Sequence, residues 1–348
     1  MTITRERLNK FRDSFGSKVP GKIKLMPKDQ AFGRIQGTYR APENPPKNAF
    51  TIDDGIFEET VLHGVVHQLM QTSVVSRFSY QRPIMGGENL VPTLKARTAQ
   101  VLHHARVSSS TISGPDSHLD AGSAMMGANQ RYVYFKASRE LAEDALDIIG
   151  VCSIAAGDAL AKDLDRIAFT GLNNEADGFV LGILESLRTS SIKVAATGNT
   201  SAATLDAQDF ANTIGLLPEF ETPEPPRWFM SRSFYTQSVL RLAGEAALLA
   251  VPPDDADGLL FGHKVHFVGG MPASTAAAGA KVAVFGYLGL GTIYGVLEKL
   301  HFDSIRDFVT DQRLMRFSTY DDFVCWDNGT NNPSDPAGSL VALQLAEV

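Results

Sequence analysis

The sequence has little cysteine, and it lacks the motifs by which many catalytic and zinc sites are recognised. Only Cys152 and Cys325 occur in 348 residues, too few for a disulfide framework or a cysteine-rich zinc cluster. No serine stands in a G-x-S-x-G motif, the turn that presents the nucleophile of many hydrolases. We therefore predict that the protein is not an enzyme, with no catalytic residue, no cofactor-binding residue, no metal ligand and no cofactor.

Long apolar runs are also missing. The chain is 44% hydrophobic and 20% charged, with a mean hydropathy of -0.06. No stretch reaches the roughly 20 apolar residues that a membrane-spanning helix needs. Residues 1–16 lack the continuous apolar segment of a secretory signal. We expect a folded protein without membrane contact that is made in the cytoplasm.

Charge is distributed unevenly along the chain. Residues 1–50 contain 11 Lys or Arg against 4 Asp or Glu, a net charge of +7, so the other 298 residues carry 21 against 35, or -14. Residues 18–47 are rich in Pro and Gly and show little apolar periodicity, which predicts an extended arm. This basic arm is either a solvated polar tail or a segment that lies on an acidic neighbour or on packaged nucleic acid.

A long hairpin is predicted after a first helix at 56–70. Residues 97–107 and 129–137 both have strand patterns and are predicted to pair. The polar residues 108–128 between them far exceed the two to about five residues of an ordinary hairpin turn. We expect this tip to be ordered by docking on another subunit.

A long amphipathic helix is predicted from Ser138 to Thr170. Ser138 is a good N-cap, acidic residues follow it, and an apolar stripe runs from Leu141 to Ile167. Such a helix is a rod of roughly 45 Å. Gly171 is a typical C-terminal stop. Beyond it the pattern predicts a helix at 204–217, a strand at 227–231, a helix capped by Ser231, and strands at 281–289, 292–300, 314–326 and 339–346.

Four groups of residues have the composition of candidate sites, and none is favoured. His63 and His67 have a spacing that could share a metal ion, but HGVVH lacks the glutamate of the metalloprotease motif. His103 and His104 are adjacent on a strand and point to opposite faces. The glycines of Gly286–Gly291 have the wrong order for a dinucleotide loop. The remaining loop has turn chemistry rather than the calcium-loop pattern, and its polar residues are Asp327, Asn328, Asn331, Asn332 and Asp335.

The order of elements resembles the Hong Kong 97-type fold of tailed-phage major capsid proteins, an α+β fold. Local strings that carry the resemblance are IAFTGLNNEADGFVLGIL, RWFMSRSFYTQSVLRL and LLFGHKVHFVGGMP. The resemblance implies an extended N-arm at 1–50, a first P-domain part at 51–96, an E-loop hairpin at 97–137, a P-domain with a spine helix at 138–203, an axial A-domain at 204–291, P-domain strands at 292–322 and a C-terminal A-domain part at 323–348.

The resemblance also implies function and partners. A protein of this family assembles with itself as hexamers and pentamers into an icosahedral shell around double-stranded DNA, which it contacts non-specifically. It is located in the virion and assembled in the host cytoplasm. A separate scaffold protein, or prior removal of a scaffold domain, is implied. A portal is a further expected partner, and a decoration protein is a candidate one. Some relatives cross-link an E-loop lysine to an asparagine, but no lysine lies between Lys95 and Lys136 here, so we predict no such cross-link.

Two alternatives stay open at this point. An encapsulin-like nanocompartment shares this fold but packages protein cargo, and the basic arm of 50 residues disfavours it. A cytoplasmic α/β enzyme that uses the Gly286–Gly291 loop would form small oligomers. Large hollow particles would exclude the enzyme, and the contents of the particles would separate the two shells.

Overall fold

A computed structural model describes residues 72–84, 89–94, 121–138, 148–243, 256–307 and 310–347 of the chain. The predicted N-arm, the helix at 56–70 and the strand at 97–107 lie outside these residues. The described helices are α1 (Val74–Phe78), α2 (Ile148–Thr170), α3 (Ile183–Ser186), α4 (Ala207–Leu216), α5 (Arg232–Ala243) and α6 (Leu288–Gly291). The described strands are β1 (Tyr80–Pro83), β2 (Asn89–Leu94), β3 (Ala121–Met126), β4 (Asn129–Ser138), β5 (Ile192–Val194), β6 (Arg227–Met230), β7 (Gly258–Leu260), β8 (His263–Phe267), β9 (Lys281–Gly286), β10 (Thr292–Asp307), β11 (Gln312–Cys325) and β12 (Leu340–Gln344).

A four-stranded sheet is built around the long antiparallel pair β10 and β11. Its strand order is β1-β10-β11-β4, with β1 parallel to β10 and β4 antiparallel to β11. Side chains alternate across a strand, so Met315, Phe317 and Phe323 of β11 share one face, and all three are buried. The strands predicted at 292–300 and 314–326 are confirmed. The first of them continues to Asp307, because its pairing with β11 continues to that residue.

A six-stranded sheet has the order β5-β12-β9-β6-β8-β7 and is covered on both faces. Phe229, Val284 and Leu340 pack into one hydrophobic cluster, whereas their strand neighbours Trp228, Phe285 and Val341 pack into the other. Burial on both faces explains why β9 and β12 are nearly continuous apolar runs in the sequence. Two cores therefore share one sheet.

The helix boundaries follow capping residues. Asp206 and Asp209 form a capping box at the start of α4, and the Ser231 hydroxyl accepts the Phe234 N–H at the start of α5. The C-terminus of α2 lies at Thr170, and the Gly171 N–H donates to the Ile167 carbonyl at 2.9 Å. These predicted helices are confirmed, with α4 beginning at Ala207 rather than 204. The predicted first turns of the long helix, 139–147, lie outside the described residues.

The predicted hairpin tip is partly wrong. Residues 121–126, predicted to belong to a loop, form β3, which pairs antiparallel with β2 from Asn89↔Met126 to Leu94↔Ala121. Met126 and Val91 are buried with Ile84 and Val324, so packing outweighs the low strand propensity of the small residues. The predicted strand at 129–137 is confirmed as β4. Its described partner is β11, whereas the predicted partner 97–107 lies outside the described residues.

Two predicted domain boundaries fall inside sheets. The strand β5 precedes residue 204 but pairs with β12 in the six-stranded sheet. The strand β11 runs unbroken across 322 and 323 to Cys325, because its pairing with β10 continues to that residue. Sequence patterns mark turns rather than sheet membership, so a boundary placed at a turn can fall within a sheet. The domain bounds and roles stay predictions.

Candidate assembly site

The long helix α2 packs against one face of the four-stranded sheet. Small and apolar helix residues Ala156, Leu160 and Ala161 pack against Met315 and Phe317 of β11. The Phe317 ring lies between two other rings, with centroids 4.9 Å from Phe302 and 6.0 Å from Phe135. The helix thus covers this face of the sheet, whereas Val91 and Met126 of the β2–β3 hairpin cover Val324 on the opposite face.

A buried ion pair ties β4, β10, β11 and α2 together. Arg131 of β4 donates from Nε to Asp321 Oδ1 at 2.8 Å, forms a second, shorter bond to Asp321 Oδ2, and donates to the Leu160 carbonyl at 2.9 Å. The Tyr294 hydroxyl donates to Asp321 Oδ2 at 2.7 Å. Burial alone would lower the pKa of Arg131, but the Asp321 carboxylate outweighs it, and the net shift is upward. The pair therefore stays charged and fixes four elements.

A second buried carboxylate attaches α1 to α2. Asp165 accepts hydrogen bonds from the Ser73 hydroxyl at 2.7 Å and from the Val74 and Val75 N–H groups at 3.0 Å. These N–H groups lie in the first turn of a helix, where no intrahelical acceptor exists. Burial raises the pKa of Asp165, and the three hydrogen bonds oppose that rise.

A third carboxylate holds the root of the β2–β3 hairpin. Asp322 Oδ2 accepts the Gly127 N–H at 2.7 Å, and Oδ1 accepts the N–H of Phe323 at 2.7 Å. Gly127 lies at the corner between β3 and β4, so this bond sets where the hairpin leaves the sheet. Burial raises the pKa of Asp322 to about 6.

The face of the four-stranded sheet opposite to α2 is exposed beyond the root of the β2–β3 hairpin. Tyr132 and Tyr134 of β4 are 57% and 60% exposed, and Ile305 of β10 is 66% exposed. Across the strands, Tyr134 is in register with Arg316 and Arg316 with Asp303, and Arg316 Nε donates to Asp303 at 3.1 Å. We call this surface the open sheet face, and it comprises Tyr132, Tyr134, Lys136, Asp303, Ile305 and Arg316.

Of the candidate site residues in the sequence, the structure describes the glycines of Gly286–Gly291 but not the histidines. His63, His67, His103 and His104 lie outside the described residues. Cβ atoms added at Gly286 and Gly291 would lie 2.2 Å from the Ser339 carbonyl oxygen and 2.5 Å from the Ser339 hydroxyl, so these glycines allow close packing by Ser339.

The loop at 327–335 forms hydrogen bonds within itself and to residues outside it. Asp327 accepts the Ser339 N–H at 2.9 Å, and Asp335 accepts the Thr330 hydroxyl at 2.8 Å.

The described ranges contain no group of three or more His, Cys, Asp or Glu side chains placed to hold a metal ion. None of the helices in those ranges is long and apolar enough to cross a bilayer.

The buried charged residues are not among the sites predicted from the sequence, although their parity on the strands distinguishes them. Arg131 lies on the same face of β4 as Val133 and Phe135, which pack toward the helix. Asp321 lies on the same face of β11 as the buried Phe323. A charged residue at an inward position needs a buried partner of opposite charge. Which partner each residue takes is set by the β4–β11 register and could not be derived from local pattern.

The phage capsid family matches residues 56–327 of this chain. The chain belongs to the phage capsid family. This capsid protein is therefore a structural shell subunit, and its place is the capsid of a virion. No curated protein matches its sequence. The family membership does not favour the encapsulin-like or enzyme alternatives.

Solved capsid structures have the same fold as this capsid protein. The capsid of an empty GTA particle is 18% identical, with a TM-score of 0.57, covering 79% of this chain and 90% of its own. The capsid of a native GTA particle is 16% identical, with a TM-score of 0.55 over 81% and 90%. A structure of Microbacterium phage Oxtober96 is 16% identical, with a TM-score of 0.53 over 79% and 91%. The predicted Hong Kong 97-type α+β fold is confirmed.

Proposed function

We propose that this protein is a major capsid protein that self-assembles as hexamers and pentamers into an icosahedral shell enclosing viral double-stranded DNA. The family match over residues 56–327 carries this proposal. The buried ion pair of Arg131 and Asp321 supports it, since a shell subunit needs a fold that keeps its shape when it contacts neighbouring subunits. The open sheet face supplies aromatic and charged side chains for contacts with such neighbours.

The subdomain roles are part of the proposal. Residues 97–137 act as an E-loop that lies on a neighbouring subunit, α2 acts as the spine of the P-domain, and the six-stranded sheet belongs to the axial A-domain. The pairing of β2 with β3 supports a projecting hairpin, because the 26 residues between these strands leave from and return to adjacent positions. Main-chain pairing and burial on a neighbour would offset the entropy of ordering that segment.

Further partners follow from the same proposal. The net charge of +7 in residues 1–50 suits contact with DNA phosphates or with an acidic neighbour, because such attraction needs no base-specific contact. A scaffold protein and a portal would guide assembly in the host cytoplasm, and a decoration protein would bind the finished shell. We propose that none of these contacts involves catalysis.

The proposal is tested by expressing the full chain and imaging the product by negative-stain electron microscopy. We expect hollow particles of uniform size with hexameric and pentameric capsomers. Particles from infected cells are then treated with nuclease and analysed for protected DNA and for enclosed protein. Small soluble oligomers only, in the presence of a co-expressed scaffold, would contradict the proposal, and shells filled with a protein cargo would favour a nanocompartment.

A further inference from the structure

Two phenylalanines occupy backbone conformations that bulky side chains rarely adopt. In the described part of the chain, four non-glycine residues have a positive φ, namely Asn173 (56°), Phe179 (59°), Phe261 (50°) and Asp311 (51°). Asn and Asp are common in this left-handed region because their short side chains form local hydrogen bonds. An aromatic side chain gains no such bond and crowds the backbone. Local folding preferences therefore do not explain Phe179 and Phe261.

Burial within the subunit does not explain them either. Phe179 is 67% exposed and Phe261 is 53% exposed. A phenylalanine offsets backbone strain when its ring leaves water, but these rings remain largely in solvent. Strained residues persist where the surrounding structure over-determines them, and they concentrate at functional positions. Each ring is thus a cost to the isolated subunit.

The turn that carries Phe179 is held firmly. Asp177 accepts the Leu172 N–H at 3.0 Å and Arg166 Nη1 at 2.7 Å, and the hydrogen bond from Leu172 is the main cause of the lowered pKa of Asp177. From β4, the Asn129 side chain donates to the Gly178 carbonyl at 2.6 Å. The Phe179 N–H donates back to the Asn174 carbonyl at 2.8 Å. On the other side of the ring, the Asn173 N–H donates to the Val180 carbonyl at 3.0 Å, so the backbone is held before and after Phe179.

The turn that carries Phe261 is a two-residue hairpin at an edge of the six-stranded sheet. Leu260 is in register with His263, and both central residues, Phe261 and Gly262, have positive φ. Such turns favour Asn-Gly, so Phe261 stands where Asn is expected. Leu260 is buried in the core, and the Tyr235 hydroxyl donates to the Leu259 carbonyl at 3.2 Å. The hairpin is anchored while its aromatic tip projects.

We infer that Phe179 and Phe261 are contact residues that insert into second copies of this chain in the assembled shell. The inference rests on the proposed function and names the residues that would carry part of it. A single phenylalanine buries at most about 250 Å², far below the roughly 800 Å² per partner of a stable pairwise interface. Contacts this small fit an assembly in which each subunit meets several copies of itself and the weak contacts act together.

The test uses the full chain with Phe179→Asn, Phe261→Asn or both, because asparagine tolerates the left-handed backbone. Urea unfolding of unassembled subunits and the lowest subunit concentration that yields shells are both measured. We expect urea midpoints equal to or above that of the parent protein. We also expect the concentration needed for shells to rise at least about tenfold for each variant, as for loss of a buried aromatic contact.

Two further variants serve as controls. Asn173→Gly relieves a left-handed residue in the same turn without removing a ring, so its shells should form at the parent concentration. Phe179→Tyr keeps the ring and should also assemble normally. Shells from both Asn variants at the parent concentration would overturn the inference, as would lower urea midpoints, which would show that the rings stabilise the subunit itself. If the parent protein forms no shells even with a co-expressed scaffold, the proposed function fails first, and this inference fails with it.

Discussion

Arg131 is a single residue on which the packing of the helix against the sheet depends. Its guanidinium reaches Asp321 on β11 and the Leu160 carbonyl on α2 from a side chain that is only 13% exposed. Asp321 in turn accepts the Tyr294 hydroxyl, and burial together with this carboxylate raises the pKa of Tyr294. All of these groups are satisfied only together, which is typical of a buried network that specifies one arrangement of its elements.

Replacing Arg131 with Met should destabilise the subunit by roughly 3–5 kcal/mol, because Asp321 would remain as an unpaired buried charge. Urea unfolding of unassembled subunits measures this loss. The double variant Arg131→Met with Asp321→Leu should recover part of it, since no uncompensated charge is left. Equal losses in the single and double variants would show that the ion pair is not the reason.

Asp322 predicts a pH dependence at the hairpin root. Its native pKa is about 6, above the ordinary Asp value of about 3.9, so the native state binds the proton more tightly than the unfolded chain. The free energy of unfolding should therefore rise, relative to that of Asp322→Asn, as the pH falls from 7 through 6 toward 4. The expected gain is on the order of 2 kcal/mol.

Urea unfolding of both proteins between pH 4 and pH 7 measures this difference. Comparison with Asp322→Asn is needed because Asp165 also has a raised pKa, whereas Asp177 and Asp303 have lowered ones. These other groups are common to both proteins, and their contributions cancel. A difference that stays constant over the whole range would contradict the assignment.

At the scale of elements, α1 has only five residues and depends on α2 for its position. Replacing Asp165 with Ala would leave the Ser73 hydroxyl and the Val74 and Val75 N–H groups without their buried acceptor. We expect the free energy of unfolding to fall by on the order of 3 kcal/mol. Each buried group left unsatisfied costs about 1–3 kcal/mol, and the site relaxes in part.

Hydrogen exchange measures the effect of Asp165→Ala directly, as faster exchange of the Val74 and Val75 amides. Asp158→Ala is the matched control on the same helix, since Asp158 forms only a surface pair with Lys162 at 2.6 Å. That pair should contribute at most about 1 kcal/mol, and its removal should leave exchange in α1 unchanged. Slow exchange at Val74 and Val75 in Asp165→Ala would disprove that Asp165 attaches α1 to α2.

Elements with strong local signals were predictable, and elements without them were not. The helix α4 has a capping box at Asp206 and Asp209, and β9 and β12 are apolar runs of strand length, so all three followed from the sequence. The strand β3 is the opposite case. Its small residues have no strand preference, and only the burial of Met126 beside Val324 makes it a strand.

At the scale of the whole molecule, two functions are proposed for the basic arm at residues 1–50. It laces neighbouring subunits together, or it contacts the packaged DNA. Deleting residues 1–47 should block or misdirect shell assembly if the arm laces neighbouring subunits, as electron microscopy would show. A full-length variant with every Lys and Arg of residues 1–47 changed to Gln should assemble normally and retain less DNA if those charges act on DNA phosphates, and should assemble poorly if they act on an acidic neighbour. Normal shells from the deletion variant would rule out lacing.

The sequence by itself determined the composition-level properties, the long helix, most strands of the two sheets and the family resemblance, because these depend on periodicity and capping within short windows. Only the tertiary structure decided that β4 pairs with β11, that Arg131 meets Asp321 across 190 residues, and that Phe179 and Phe261 adopt left-handed backbones. The physical reason is common to all three. Register, buried partners and strained turns arise when distant segments pack together, and no local window contains that information.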